Sequence, residues 1–143
     1  MTVIDIHTHM IPREWLDLLQ SDGGDYELKP TRAGHMAIHL AGAPFVTLMP
    51  EMFDYDARLR AMDEAGVDMA VLSLTGPNVF WGTPAVSAKA ARIANAAYAE
   101  RQGKYPDRIR WVASPGRRRT RRWPTRPLRR RARRRHARQH PRA

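Results

Sequence analysis

Three short stretches of the chain have the apolar patterning of β-strands. The first, "TVIDIHTH" at residues 2–9, alternates apolar and polar positions and contains several β-branched side chains. The second, "MAVLSL" at residues 69–74, is almost continuously apolar, which is typical of a strand buried on both faces of a parallel sheet. The third is "RIRWVA" at residues 108–113. We therefore predict three strands separated by long connections.

Helical patterns occupy much of these connections. Pro12 suits the first turn of a helix, "PREWLDLLQ", which stops at a Gly-Gly pair. Asp56 can cap a second helix, "ARLRAMDEA". Thr83 and the proline after it open a long alanine-rich helix that runs to about Gly103. Each of these helices is expected to pack an apolar stripe against the strands.

The order of the elements predicts the fold class. Residues 26–48 have no regular period and are interpreted as a hairpin or a long insertion. The remaining elements alternate strand, helix, strand, helix, strand, which predicts an α/β fold with a parallel sheet and right-handed crossovers. The three strands are expected to lie side by side in chain order.

The first strand carries the candidate chemistry. Strict alternation would place three polar side chains on one face and the other side chains on the opposite face: Asp5, His7 and His9 against Ile4, Ile6 and Thr8. Two imidazoles that are two residues apart can bind one divalent metal, with nitrogens ~2.1 Å from zinc. Alternatively, one histidine caps a loop and the other is solvated. The triplet alone does not separate these two interpretations.

Charge divides the chain into two parts. The whole chain has 25 Lys and Arg against 14 Asp and Glu, a net charge of +11. From Gly116 onward there are 14 arginines and no acidic residue, so residues 1–115 hold 25 − 14 = 11 basic and 14 acidic groups, net −3. We predict a folded part at 1–115 and a disordered Arg-rich tail at 116–143. No secretory signal or membrane-spanning pattern is visible, which predicts a cytoplasmic protein.

Three segments in order carry a resemblance to a known family: "IDIHTHMIP", "RLRAMDEAGVDMAVLSL" and "ANAAYAERQGKYPDRIRWVAS". From residue 2 to residue 114 the chain resembles the amidohydrolase-related family, in the branch with 2-amino-3-carboxymuconate-semialdehyde decarboxylase. The resemblance implies the N-terminal βαβαβ portion of a TIM-barrel metal-dependent hydrolase, with His7 and His9 as ligands of a divalent metal, commonly zinc. It also implies a hydrolase or carboxy-lyase, in its complete form a possible homodimer, that acts on a small carboxylated, aromatic or muconate-like substrate.

Substrate contacts are predicted less directly. In a barrel the loop after the second strand lies on the active-site side, so Phe80 and Trp81 could line a substrate pocket. The alternative is that both residues only pack the loop. Decarboxylases of the branch that the chain resembles tend to hold the substrate carboxylate with a basic residue in the insertion. No Lys or Arg lies between Arg32 and Arg58 here, which favours a more general hydrolase over a decarboxylase. Arg58 and Arg60 are interpreted as surface charges on the second helix.

The tail departs from the family pattern. After Ser114 the sequence continues with proline, glycine and then many arginines. GC-rich DNA encodes mainly such residues when it is read out of frame. We expect a frameshift near this point, with the unidentified catalytic residues in the missing C-terminal part and the present chain inactive. The alternative is a nucleic-acid-binding protein that acts through the tail by phosphate contacts. With Trp123 as the tail's one aromatic residue, no specific nucleic-acid partner is expected.

Overall fold

The computed structural model describes residues 1–116, and its helices and strands follow one another in chain order. They are β1 (Ile4–His9), α1 (Arg13–Asp22), β2 (Tyr26–Pro30), β3 (Met36–Leu40), β4 (Ala43–Thr47), a 3-10 turn (Pro50–Met52), α2 (Tyr55–Glu64), β5 (Met69–Ser73), α3 (Pro84–Lys104) and β6 (Ile109–Trp111). The predicted Arg-rich tail beyond residue 116 lies outside the described residues. The predicted division of the chain at residues 115 and 116 stays a prediction.

The main sheet is parallel, as predicted. Its strand order is β1-β5-β6, so the three predicted strands lie side by side in chain order. Strand β5 is the central strand and pairs in parallel with both neighbours. The alternation of strands and helices was therefore sufficient to predict this part of the fold.

Helices α1 and α3 pack against each other, α3 also packs against β6, and both helices contribute to the core. Trp15 and Leu19 of α1, and Tyr98 of α3, are at most 1% exposed. Small alanines on α3 let the helix approach the sheet, and Ala90 and Ala94 are fully buried. These residues form one apolar cluster with the buried side chains of β5 and β6. The cluster makes the predicted crossover helices part of a single core.

The helix starts agree with the sequence at one position and differ at another. Thr83 caps α3 as predicted, and its hydroxyl accepts a hydrogen bond from the Val86 amide at 3.2 Å. The cap of α2 is Asp54 rather than Asp56, because the Asp54 carboxylate accepts from the Asp56 amide at 2.8 Å. The predicted cap at Asp56 was wrong, since Asp56 already lies in the first turn.

The segment between α1 and α2 forms a second sheet, which confirms the hairpin alternative of the prediction and adds a third strand. Strands β2, β3 and β4 pair in antiparallel order. A two-residue turn joins β3 to β4, with positive φ at Ala41 (49°) and Gly42 (83°). Positive φ at both positions is the signature of a type I′ hairpin, which normally takes Asn or Gly first. Because alanine rarely adopts positive φ, the sequence did not indicate the position of this turn.

Strand β1 is irregular in its middle. Asp5 is in register with Ala70 and Thr8 with Leu72, so β1 uses three residue steps where β5 uses two. One extra residue in a strand shifts the side chains that follow it to the opposite face. The strict alternation predicted for β1 is therefore wrong from Ile6 onward.

The irregularity changes which side chains of β1 face the helices. Thr8 is only 6% exposed, whereas Ile4 is 48% exposed and Ile6 is 79% exposed. The predicted common face of Ile4, Ile6 and Thr8 was wrong, because Thr8 is in register with the buried Leu72, whereas Ile4 is in register with Met69 on the opposite face of β5. Within residues 1–116, strand β1 is also an edge of the sheet, so it has a neighbouring strand on one side and none on the other.

Ser114 connects the chain after β6 to α3. Its amide donates to the Asn95 side-chain oxygen at 2.9 Å, and the Asn95 amide group donates to the Ser114 carbonyl at 3.1 Å. This reciprocal pair ties the chain after β6 to the middle of α3. Among the described residues, no helix has both the length and the apolar content that crossing a bilayer demands.

Candidate metal site

His7 and His9 lie close together at the C-terminal end of β1. Their ring centroids are 4.9 Å apart, with the ring planes at 76° to each other. His7 is exposed and His9 is partly buried. Two imidazoles at this spacing are close enough for a nitrogen of each to reach one ion. Their role as metal ligands stays a prediction.

Ser73 holds the ring of His9 from the neighbouring strand. The two residues are in register, and Nδ1 of His9 lies 3.1 Å from Oγ of Ser73. The same hydroxyl donates to the carbonyl oxygen of Thr8 at 3.2 Å. Ser73 lies near the end of the predicted strand at residues 69–74, but the sequence did not indicate that its hydroxyl would contact His9. Register between parallel strands, which no local pattern encodes, brings the two side chains together.

Arg58 fixes the backbone at the end of β1 and is not a free surface charge. Its Nη2 donates to the carbonyl oxygen of His9 at 3.0 Å, and its Nε donates to that of Glu51 at 2.9 Å. Burial lowers the pKa of the Arg58 guanidinium below its usual range. The interpretation of Arg58 as a surface charge was therefore wrong. By contrast, Arg60 on the same helix is exposed, as expected.

The segment that follows His9 is also held in place. The Met10 amide donates to the carbonyl oxygen of Ser73 at 3.2 Å. The Met10 carbonyl oxygen accepts a 2.5 Å hydrogen bond from the hydroxyl of Tyr98 on α3. Burial raises the pKa of Tyr98 well above that of an ordinary tyrosine. Together with Arg58, these bonds immobilise the backbone that carries the two imidazoles.

Asp5 does not join the two histidines as a third side chain. It is in register with Ala70, while His9 is in register with Ser73, three residues further along β5. Residues three apart on a strand face opposite sides, so Asp5 and His9 lie on different faces. One oxygen of the Asp5 carboxylate instead accepts from the His7 amide at 3.0 Å. The expectation that Asp5 shares the histidine face was wrong.

A third protein ligand is not found in the described part of the chain. Within residues 1–116, no group of three or more His, Cys, Asp or Glu residues is arranged so that it could hold a metal ion. Catalytic zinc usually has three protein ligands and one water. His7 and His9 supply two imidazoles, so at least one further protein ligand would be needed to complete a catalytic metal site of this kind.

The two aromatic residues after β5 differ in environment. Trp81 is 3% exposed, and its ring packs edge-on against that of Trp15, with the ring centroids 5.6 Å apart. Its Nε1 donates a hydrogen bond to the Asn78 carbonyl oxygen at 2.9 Å. Phe80 is 56% exposed. The surroundings of Trp81 favour the packing alternative for that residue, whereas Phe80 is free to contact a ligand. A substrate-binding role stays a prediction for both.

A decarboxylase is among the characterised proteins that are similar to this chain in sequence. No protein-family model matches the chain. The 2-amino-3-carboxymuconate-6-semialdehyde decarboxylase of Caenorhabditis elegans is 31% identical over 110 residues, which cover 74% of this chain and 27% of the relative. The chain thus spans about a quarter of that relative's length.

Solved structures with the same fold include an IDCase and a dihydroxybenzoic acid decarboxylase. The apo form of IDCase from Metarhizium anisopliae has a TM-score of 0.68 at 23% identity, over 78% of this chain and 34% of its own. A dihydroxybenzoic acid decarboxylase from Polaromonas sp., with bound manganese and the inhibitor 2-nitroresorcinol, has a TM-score of 0.54 at 28% identity, over 79% of this chain and 30% of its own. Sequence and fold together show that the described residues belong to the amidohydrolase superfamily and correspond to an N-terminal portion of its barrel.

Proposed function

We propose that His7 and His9 are the first two ligands of a divalent-metal site in an enzyme that acts on a small carboxylated, aromatic or muconate-like substrate. The observation that carries this proposal is the 4.9 Å separation of the two rings at the C-terminal end of β1. In parallel α/β barrels this end of the strands forms the active site. When bound, a divalent metal supplies a Lewis acid that polarises substrate and acidifies a bound water.

Decarboxylation is the reaction class that we favour. The Caenorhabditis elegans relative and the Polaromonas structure are both named as decarboxylases, and both share more than a quarter of the aligned residues with this chain. A hydrolase is the alternative, favoured by the lack of Lys and Arg between Arg32 and Arg58. Arg58 itself does not fill this gap, because its guanidinium already binds two backbone carbonyls.

The metal that we propose is zinc, because two imidazole ligands suit it well. The Polaromonas structure contains manganese, which makes that ion the alternative to test. The proposed roles of the residues are distinct. His7 and His9 would hold the ion, Arg58 holds the backbone that carries His9, and Phe80 would contact the flat face of a substrate. A cytoplasmic location and a homodimer of the complete enzyme stay predictions.

We also propose that the described residues do not catalyse the reaction by themselves. They supply three parallel strands, whereas a TIM barrel closes with eight. Within residues 1–116 the two histidines have no third ligand. An ion held by two imidazoles would be bound weakly, and no wall of the sheet faces it to exclude water.

A chimaeric enzyme tests this proposal. Residues 1–114 replace the matching N-terminal part of the Caenorhabditis elegans decarboxylase, and release of CO₂ is measured after zinc or manganese is added. We expect turnover by the chimaera, loss of turnover in its His7→Ala and His9→Ala variants, and no turnover by the 143-residue chain. A folded chimaera whose activity survives both substitutions would contradict the ligand assignment. Turnover by the 143-residue chain would contradict the claim that it is inactive.

A further inference from the structure

The hydroxyl of Ser73 lies between two groups that constrain its single proton. It is 3.2 Å from the carbonyl oxygen of Thr8 and 3.1 Å from Nδ1 of His9. A carbonyl oxygen can only accept a hydrogen bond, so the serine proton is used toward Thr8. A lone pair of the hydroxyl oxygen then faces the imidazole.

This arrangement bears on the tautomer of His9, which the Ser73–His9 distance alone leaves open. A neutral imidazole carries its proton on one nitrogen and a lone pair on the other. Because Ser73 offers a lone pair to Nδ1, that nitrogen must carry the proton to make the hydrogen bond. Nε2 is then left with the lone pair that a metal ligand requires.

We propose that Ser73 is a positioning residue that holds His9 in the Nδ1–H tautomer and so presents Nε2 to the divalent metal. The inference rests on the proposed metal site and names the ligand atom within it. Hydrogen bonds of this kind to the second ring nitrogen orient metal-binding histidines and raise their basicity. Ser73 does not need to touch the metal or the substrate to have this effect.

The backbone around Ser73 is held independently of its hydroxyl. Ser73 and His9 are in register on paired parallel strands, and the Met10 amide donates to the Ser73 carbonyl oxygen at 3.2 Å. Removal of the hydroxyl in Ser73→Ala therefore leaves the strand pairing intact. Ser73→Thr keeps a hydroxyl and places a β-branched residue in a strand, where such residues are well accommodated.

The first test reads the tautomer directly, without metal. Long-range ¹H–¹⁵N spectra of the full chain are recorded at about pH 8.5, where an ordinary imidazole is neutral. In the wild type, Nδ1 of His9 should have the shift of a protonated nitrogen and Nε2 that of an unprotonated one. Ser73→Ala should move both shifts toward a mixture of tautomers, and Ser73→Thr should restore them. His7 is an internal reference in the same spectra.

The second test measures zinc affinity of the same variants by calorimetry. We expect Ser73→Ala to weaken binding about 10-fold, as losses of such supporting hydrogen bonds do, and Ser73→Thr to recover most of it. Thr75→Ala is the matched control, because it removes a hydroxyl two residues along the chain from Ser73 and leaves the hydroxyl bonded to His9 in place. It should leave both the tautomer and the affinity unchanged.

The outcomes separate this inference from the proposed function. Zinc binding that depends on His9, with tautomer and affinity both unchanged in Ser73→Ala, would overturn the role of Ser73 and leave the metal site standing. A tautomer shift in Ser73→Ala without any zinc binding by the wild type would support the effect of Ser73 on His9 and contradict the proposed metal site. A tautomer shift with weakened binding, restored in Ser73→Thr, supports both.

Discussion

Nη2 of Arg58 donates a 3.0 Å hydrogen bond to the carbonyl oxygen of His9, although 49 residues separate the two in sequence. The same guanidinium holds the carbonyl oxygen of Glu51 through Nε. One side chain of α2 thus links the end of β1 to the segment before the helix. The position of the candidate metal site depends on this link, since His9 has no other tie to α2 among the bonds of the described residues.

Removal of the guanidinium should therefore loosen the end of β1. We expect Arg58→Ala to lower the free energy of unfolding by about 1–3 kcal/mol, because two bonds from a charged donor are lost and two carbonyl oxygens lose a partner. Arg58→Lys should recover part of this, since an ammonium lacks the planar fork that reaches two acceptors. Urea unfolding of both variants checks the prediction. Arg60→Ala on the exposed side of α2 is the control, and an equal loss there would refute the role given to Arg58.

Two buried tyrosines should make the fold sensitive to alkali. Burial raises the pKa of Tyr55 to about 12 and raises that of Tyr98 as well, from an ordinary value of about 10. Above about pH 10 the unfolded chain loses these protons while the folded chain keeps them, so stability is complete below that pH and falls as the pH rises toward about 12. Tyr98→Phe should make this fall shallower. Urea unfolding at a series of alkaline pH values measures the slope, and an unchanged slope would speak against the assignment.

At neutral pH the same substitution tests the anchor beneath the site. Tyr98→Phe removes the 2.5 Å hydrogen bond to the Met10 carbonyl oxygen from a fully buried position. We expect a loss of about 1–2 kcal/mol in the free energy of unfolding, because a buried acceptor loses its donor. Tyr105→Phe, at a partly exposed tyrosine just after α3, is the matched control and should have little effect. Similar losses in both variants would show that the bond to Met10 makes no specific contribution to the free energy of unfolding.

The outer edges of the parallel sheet should promote self-association. Within residues 1–116, strands β1 and β6 are both edges; Ile6 in β1 is 79% exposed, and Val112, directly after β6, is 58% exposed. Exposed apolar edge strands are templates for pairing with another chain, and an inserted lysine blocks such pairing. Ile6→Lys should reduce aggregation, measured by light scattering, without a loss of stability. Ile109→Lys, at a fully buried position, should instead unfold the chain. Aggregation that is unchanged by Ile6→Lys would contradict this account of the edge.

The sequence predicted the parts of the fold that local patterns encode. Apolar runs and helix stripes were sufficient for the parallel sheet, and Thr83 with the following proline marked the start of α3. The local pattern around the α2 cap was ambiguous, because Asp54 and Asp56 are both good capping residues and only the backbone conformation separates them. The position of the hairpin turn at Ala41 could not be predicted, since alanine rarely adopts positive φ.

The candidate site was predicted only in its ligands. His7 and His9 stood out because of their spacing and the family resemblance. Ser73 and Arg58 act through contacts across 64 and 49 residues, and such contacts depend on strand register and helix placement. The register shift in β1, which separates Asp5 from His9, likewise follows from pairing with β5 and from no pattern within β1 itself.

Zinc titration of the full chain tests the central claim most directly. Calorimetry should show weak binding of one zinc ion per chain, lost in His7→Ala and in His9→Ala. Binding should persist in His35→Ala, at an exposed histidine outside the site, and in a variant with both tail histidines, His136 and His140, replaced by alanine. Binding that survives the loss of His7 and His9, or disappears with the tail histidines, would contradict the metal site proposed on β1.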